Sequence, residues 1–145
     1  MLNKLVAIKI KNRIKLIQKT IENPIRYQNE IRKHHIKIAK NTVFGKTHKF
    51  NTISNYEAFS ENIPLRNYDA FKKYIELIKD GHSNILWPGK TKWFAKSSGT
   101  TNNKSKFIPI TNESLEKCHF IAGKDMLSWY LTHYPKSNIL QGKSL

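Results

Sequence analysis

Residues 85–110 read ILWPGKTKWFAKSSGTTNNKSKFIPI, and the architecture turns on this stretch. It opens on aromatic and β-preferring side chains, broken by the Pro88-Gly89 pair that marks a turn. Residues 97–106, SSGTTNNKSK, follow without one apolar side chain. Phe107, Ile108, Pro109 and Ile110 then make a second short extended run. Thr111 or Asn112 is placed to cap a helix over residues 112–133, whose buried stripe is expected to hold Leu115, Cys118, Ala122, Met126 and Trp129. The order is strand, polar loop, strand, helix.

Upstream the spacing is helical. Over residues 3–21, Leu5, Ile10, Ile14, Ile17 and Ile21 fall near one stripe with lysines elsewhere, which predicts a surface helix packed on a core. Asn23-Pro24 marks a break and a restart, with Asn as N-cap and Pro at the first helical position. The second helix is expected to reach about residue 40 and to turn Ile31, Ile38 and Ala39 inward, with Gly45 ending the region. Ser54 can cap a short turn through Phe59, closed by Pro64. Asn67 suits the N-cap of a helix bearing Tyr68, Phe71, Ile75 and Ile78, stopped at Asp80-Gly81. The predicted class is α/β, and α+β within this stretch. Residues 1–80 are helical, 85–110 strand–loop–strand and 112–133 helix, all in one domain spanning 1–145.

The net charge is +16, from 26 basic residues against 10 acidic ones. Lysines run from Lys4 to Lys143 without a block, no nucleic-acid-binding signature lies among them, and Lys, Asn and Ile are abundant throughout. The charge is therefore read as composition. A small basic nucleic-acid-binding domain remains the alternative function, with counterion release as its physical basis, and a helical interaction module the third. The single cysteine, Cys118, excludes an internal disulfide and reads as a buried inert thiol in a reducing compartment. No run reaches the length of a membrane helix and Lys4 and Lys9 interrupt any secretory signal, so a cytoplasmic protein is expected. His34, His35, His48, His82, His119 and His133 show no paired metal-ligand spacing, and no metal site is predicted. Glu113, Glu116 and His119 can share a helix face, where the helix dipole explains the acids without catalysis. Trp87, Trp93 and Trp129 are expected in core positions.

Chemistry is concentrated in residues 97–106. Five hydroxyl side chains, one glycine, two asparagines and two lysines stand between apolar strands. Gly99 lets the backbone pass close to a ligand, so that main-chain N–H groups can meet phosphate oxygens. Hydroxyls add hydrogen bonds and a lysine adds a charge-assisted one. The same residue types also make ordinary solvated turns, and composition alone does not separate the two. A Walker A loop is disfavoured, because its second glycine is absent and a strand, not a helix, comes next.

SSGTTNNKSK followed by FIPIT resembles the ATP-binding motif of the auxin-responsive acyl-acid amido synthetases, a branch of the adenylate-forming superfamily. That pattern is SSGT[ST], four variable residues, Lys, then an apolar strand with proline, and Lys106 falls at the required offset from Ser97. NTVFGKTHKF at residues 41–50, IPLRNYDAFKKYIELI before Gly81 and NILWPGKTKWFAKSSGTT at residues 84–101 look like consecutive family segments. The resemblance covers most of the chain from Asn23 onward. It departs at Asn103, where plant members often carry glycine; asparagine tolerates a left-handed backbone better than most residues.

The resemblance implies ATP-dependent adenylation of a small carboxylic acid, then transfer of the acyl group to an amine or amino acid, with Mg2+ accompanying the ATP. Ser97, Ser98, Gly99, Thr100, Thr101 and Lys106 would hold the phosphates, and no catalytic residue is assigned. It also implies the start of a large adenylate-forming domain that is truncated here. The chain by itself is expected to be inactive and marginally stable, because the elements completing the domain are absent.

Overall fold

A computed structural model describes residues 2–98, 105–137 and 139, with side chains described within these ranges at residues 9 and 10 and from 12 onward. Helix α1 spans Leu2–Glu22, α2 Pro24–Ala39 and α3 Val43–Thr47, followed by a 3-10 turn, Phe50–Thr52. Helices α4, Tyr56–Asn62, and α5, Tyr68–Lys79, precede strands β1, Trp93–Lys96, and β2, Phe107–Ile110. The short helix α6, Asn112–Ser114, a π-helical turn, Leu115–His119, and helix α7, Phe120–His133, follow. The described residues are helix-rich with a two-stranded antiparallel sheet, an α+β arrangement. They divide into two compact units, Ile25–Ser114 and a second formed by Met1–Pro24 with Leu115–Leu145.

In the larger unit the core gathers Ile36, Ala39, Phe44, Phe50, Tyr74, Ile78 and Ile85, with Phe59, Phe71, Trp87 and Phe94 packed around them. The Phe44 ring is its centre. Phe50 and Tyr74 meet it edge-on at 5.9 and 5.5 Å, Phe71 stacks at 5.7 Å, and the buried His48 ring lies 4.3 Å away. His48 is thus a packing histidine, its Nδ1 2.9 Å from Asn62 O. The geometry around α3 comes from Thr42, the most buried side chain described, at 1% exposure. Its hydroxyl donates to Ala39 O at 2.7 Å and accepts from Gly45 N–H at 3.0 Å, tying the end of α2 to the start of α3. The first N–H groups of a helix have no partner within it. Here Val43 N–H donates to Asn84 O at 2.8 Å and Phe44 N–H to Ile85 O at 3.0 Å.

Several expectations are corrected. Gly45 lies inside α3 instead of ending the region, because a Cβ there would stand 2.0 Å from Ala39 O. Ile31 is 54% exposed while Ile36 is buried, so the inward face of α2 runs through Ile36 and Ala39. Asn55, not Ser54, caps α4, accepting from Ala58 N–H at 2.9 Å. Ile85 supplies a carbonyl to α3 instead of starting a strand. Its loop is closed by Asn84, at φ 58°, whose Oδ1 accepts from Gly89 N–H at 2.7 Å. Asn67 caps α5 as predicted, through Ala70 N–H at 3.3 Å, and Gly81 follows that helix at φ 90°.

In the second unit α1 packs on α7, with Ile14 buried and Ile10, Ile17, Ile121, Leu127 and Leu131 half-buried. Arg13 makes a two-pronged ion pair with Asp125, its Nη2 donating to Oδ2 at 2.8 Å and its Nε to Oδ1. That hydrogen bond with the carboxylate holds the guanidinium above its ordinary pKa. The predicted α7 stripe is not the buried one. Met126 is 72% and Trp129 45% exposed, and Cys118 and Ala122 are exposed too. The π-helical turn at Leu115–His119 inserts an extra residue into the winding and shifts the phase of everything after it. Trp93 is likewise 64% exposed: alternation along β1 turns Phe94 to the core and Trp93 away.

Candidate functional site

Strands β1 and β2 pair in the register Trp93↔Ile110, Phe94↔Pro109, Ala95↔Ile108 and Lys96↔Phe107. The next position, Ser97 opposite Lys106, closes the mouth of the polar loop. Ser97 N–H donates to Lys106 O at 3.0 Å, and Lys106 N–H to Ser97 Oγ at 3.3 Å. The two ends of the predicted loop therefore face one another across an extended hairpin rather than lying along a helix. Ser97 is half-buried, and Ser98 and Lys106 are exposed. Gly99, Thr100 and Thr101 lie outside the described residues.

Tyr68, at the start of α5, was not singled out for this site by the sequence. Its hydroxyl accepts from Phe107 N–H at 2.9 Å and donates to Phe107 O at 3.2 Å. In an antiparallel pair, residues alternate between turning both backbone groups to the partner strand and turning both away. Phe107 turns its pair outward, and a single phenol satisfies both. The Lys106 ammonium lies over the Tyr68 ring, 5.6 Å from its centre. Lys79, from the other end of α5, stands over the Phe107 ring at 5.0 Å while pairing with Glu76 at 2.9 Å, and this hydrogen bond raises its pKa. Helix α5, anchored by buried Tyr74, Ile75 and Ile78, is thus the support against which the strand after the loop is set.

Tyr68→Phe would strand both backbone groups of the half-buried Phe107. A loss of about 1 kcal/mol is expected, within the range for an unsatisfied partly buried polar group, and the midpoint of urea denaturation measures it. An unchanged midpoint would show that water replaces the phenol without penalty.

What the site can do follows from its donor set. Among the described residues the loop mouth presents the hydroxyls of Ser97 and Ser98 and the ammonium of Lys106, all groups able to donate to an oxyanion. Among the described residues no group of three His, Cys, Asp or Glu side chains is placed to hold a metal ion. Glu113, left without a catalytic role by the sequence, lies 3.1 Å from His34 Nε2 through Oε1. No helix among the described residues is long and apolar enough to cross a membrane.

Residues 13–145 match the GH3 family N-terminal domain, and the chain belongs to that family. It is similar to the indole-3-acetic acid-amido synthetase GH3.17 of Arabidopsis thaliana, 37% identical over 67 residues, which cover 46% of this chain and 11% of that protein. It is also similar to the jasmonoyl–L-amino acid synthetase GH3.5 of Oryza sativa subsp. japonica, 35% identical over 94 residues, covering 61% of this chain and 15% of that one. The 4-substituted benzoates-glutamate ligase GH3.12 of Arabidopsis thaliana is 29% identical over 90 residues, again 61% of this chain and 15% of the relative. The matched stretch thus spans between 11% and 15% of these three relatives' length. The family seen in the loop motif is the family of the chain, and the nucleic-acid-binding alternative is not favoured.

Proposed function

We propose that this chain is the amino-terminal part of an ATP-dependent acyl-acid amido synthetase, the beginning of an adenylate-forming domain. Ser97, Ser98, Gly99, Thr100, Thr101 and Lys106 bind the phosphates of ATP. One observation carries this: the hairpin closes between Ser97 and Lys106, so the two ends of the motif stand at one mouth. In the reaction a substrate carboxylate oxygen attacks the α-phosphorus of ATP. The bond from that phosphorus to the bridging oxygen breaks, and pyrophosphate departs with the electron pair. An amine then attacks the acyl carbon, the bond to the AMP oxygen breaks, and the amine loses a proton as the amide forms.

The chain's own contribution is positioning and charge stabilisation. Hydroxyls and N–H groups at the loop donate to phosphate oxygens, and the Lys106 ammonium offsets the charge that builds on the departing pyrophosphate. Magnesium would be held chiefly by the phosphates, since the loop residues 97–106 include no carboxylate. Its chemistry is to neutralise phosphate charge. The acyl acceptors in the relatives' names are amino acids, which supports an amino acid as the amine here. ATP as co-substrate accords with a cytoplasmic setting.

The test is exchange of labelled pyrophosphate into ATP by the full-length protein, across a panel of aromatic and aliphatic carboxylic acids. Exchange that depends on an added acid is expected, with AMP release once an amino acid is supplied. No acid-dependent exchange across the panel, from protein that is folded, would refute the assignment.

A further inference from the structure

We infer that Tyr68 is a positioning residue for Lys106, a role that rests on the phosphate-binding reading of the loop. Three contacts converge on one side chain. The phenol oxygen takes the N–H of Phe107 at 2.9 Å and gives its proton to the carbonyl of the same residue at 3.2 Å. The ring lies beneath the Lys106 ammonium at 5.6 Å. Tyr68 thus fixes both the backbone immediately after Lys106 and the place where its charge rests. The side chain is itself held, because α5 is capped by Asn67 and buried through Tyr74, Ile75 and Ile78.

A lysine on an exposed hairpin samples many rotamers, and only some put its ammonium at the loop mouth. An aromatic face narrows that distribution through the attraction of its quadrupole for a cation. At an exposed position this attraction is weaker than a charge-assisted bond to phosphate. The ammonium can therefore leave the ring for the nucleotide without a large penalty. Tyr68 stays off the reacting atoms and acts through Lys106.

The experiment is acid-dependent pyrophosphate exchange by the full-length protein, comparing the parent, Tyr68→Phe, Tyr68→Leu, Lys106→Ala and the double variants. Tyr68→Phe keeps the ring and loses the two hydrogen bonds, and should raise the KM for ATP about threefold. Tyr68→Leu loses both and should raise it about tenfold, leaving the KM for the carboxylic acid at the parental value. In the Lys106→Ala background Tyr68→Leu should add less than about twofold, because the group it positions is gone. An undiminished tenfold effect in that background would overturn the inference and make Tyr68 merely structural. So would parental ATP KM values in both single variants. Should Tyr68→Leu fail to fold, the cycle is run with Tyr68→Phe, whose ring fills the same space, and a full threefold effect beside alanine at position 106 is then the overturning result. Exchange in the parent that Lys106→Ala impairs and the Tyr68 variants leave untouched removes only this inference. Lack of exchange in the parent removes the function itself.

Discussion

Lys106→Ala in the full-length protein is expected to lower ATP use at least about tenfold, because a charge-assisted hydrogen bond contributes roughly 1.5–3 kcal/mol and 1.4 kcal/mol is a factor of ten. The ammonium is exposed and lies over the Tyr68 ring, and among the described residues no carboxylate pairs with it. Removing it therefore leaves no buried charge stranded, and the loss measures its dealings with the nucleotide. Lys106→Arg should recover part of the activity, since the charge returns in a wider, planar group. Kinetics of pyrophosphate exchange at varied ATP decide the matter. Wild-type kcat/KM for ATP in the alanine variant would remove Lys106 from the phosphate site.

Gly45→Ala is expected to destabilise the fold by about 3 kcal/mol or more, at the upper end of overpacking costs. The added Cβ would stand 2.0 Å from Ala39 O and 2.9 Å from Ala39 C, both backbone atoms that no rotamer change can move. Relief requires separating α3 from the end of α2, which breaks the Thr42 hydroxyl bridge and disturbs Phe44 at the centre of the core. Gly123→Ala provides the contrast. Nothing lies within 4 Å of a Cβ at that α7 position, so alanine should stabilise by up to about 1 kcal/mol through helix propensity. Urea denaturation of both variants gives the comparison, and shifts of equal sign would contradict the geometry.

These two positions also mark how far the chain could be read before its structure. The hairpin that closes at Lys106 was legible because it is a local object. Two short apolar stretches around a wholly polar loop carry their pairing in the sequence, and β1 and β2 close where the motif begins and ends. Asn67 was legible for the same reason: a cap acts on an N–H three residues away. Gly45 was visible as a glycine, but its purpose lies in a carbonyl of the preceding helix and in N–H groups satisfied by Asn84 and Ile85. No short-range rule reports such an approach. The α7 stripe failed because periodicity assumes regular winding, which the π-helical turn interrupts. Tyr68 read as one more apolar residue of an amphipathic helix, and its hydroxyl found its partners 39 positions on.

The seam where α3 borrows carbonyls from residues 84 and 85 has a consequence for motion. Amide protons of Val43 and Phe44 should be shielded from solvent deuterium only while the Asn84–Gly89 loop stays shut. Their exchange rates and that of Gly89 should then rise in step on gentle destabilisation, as one opening unit.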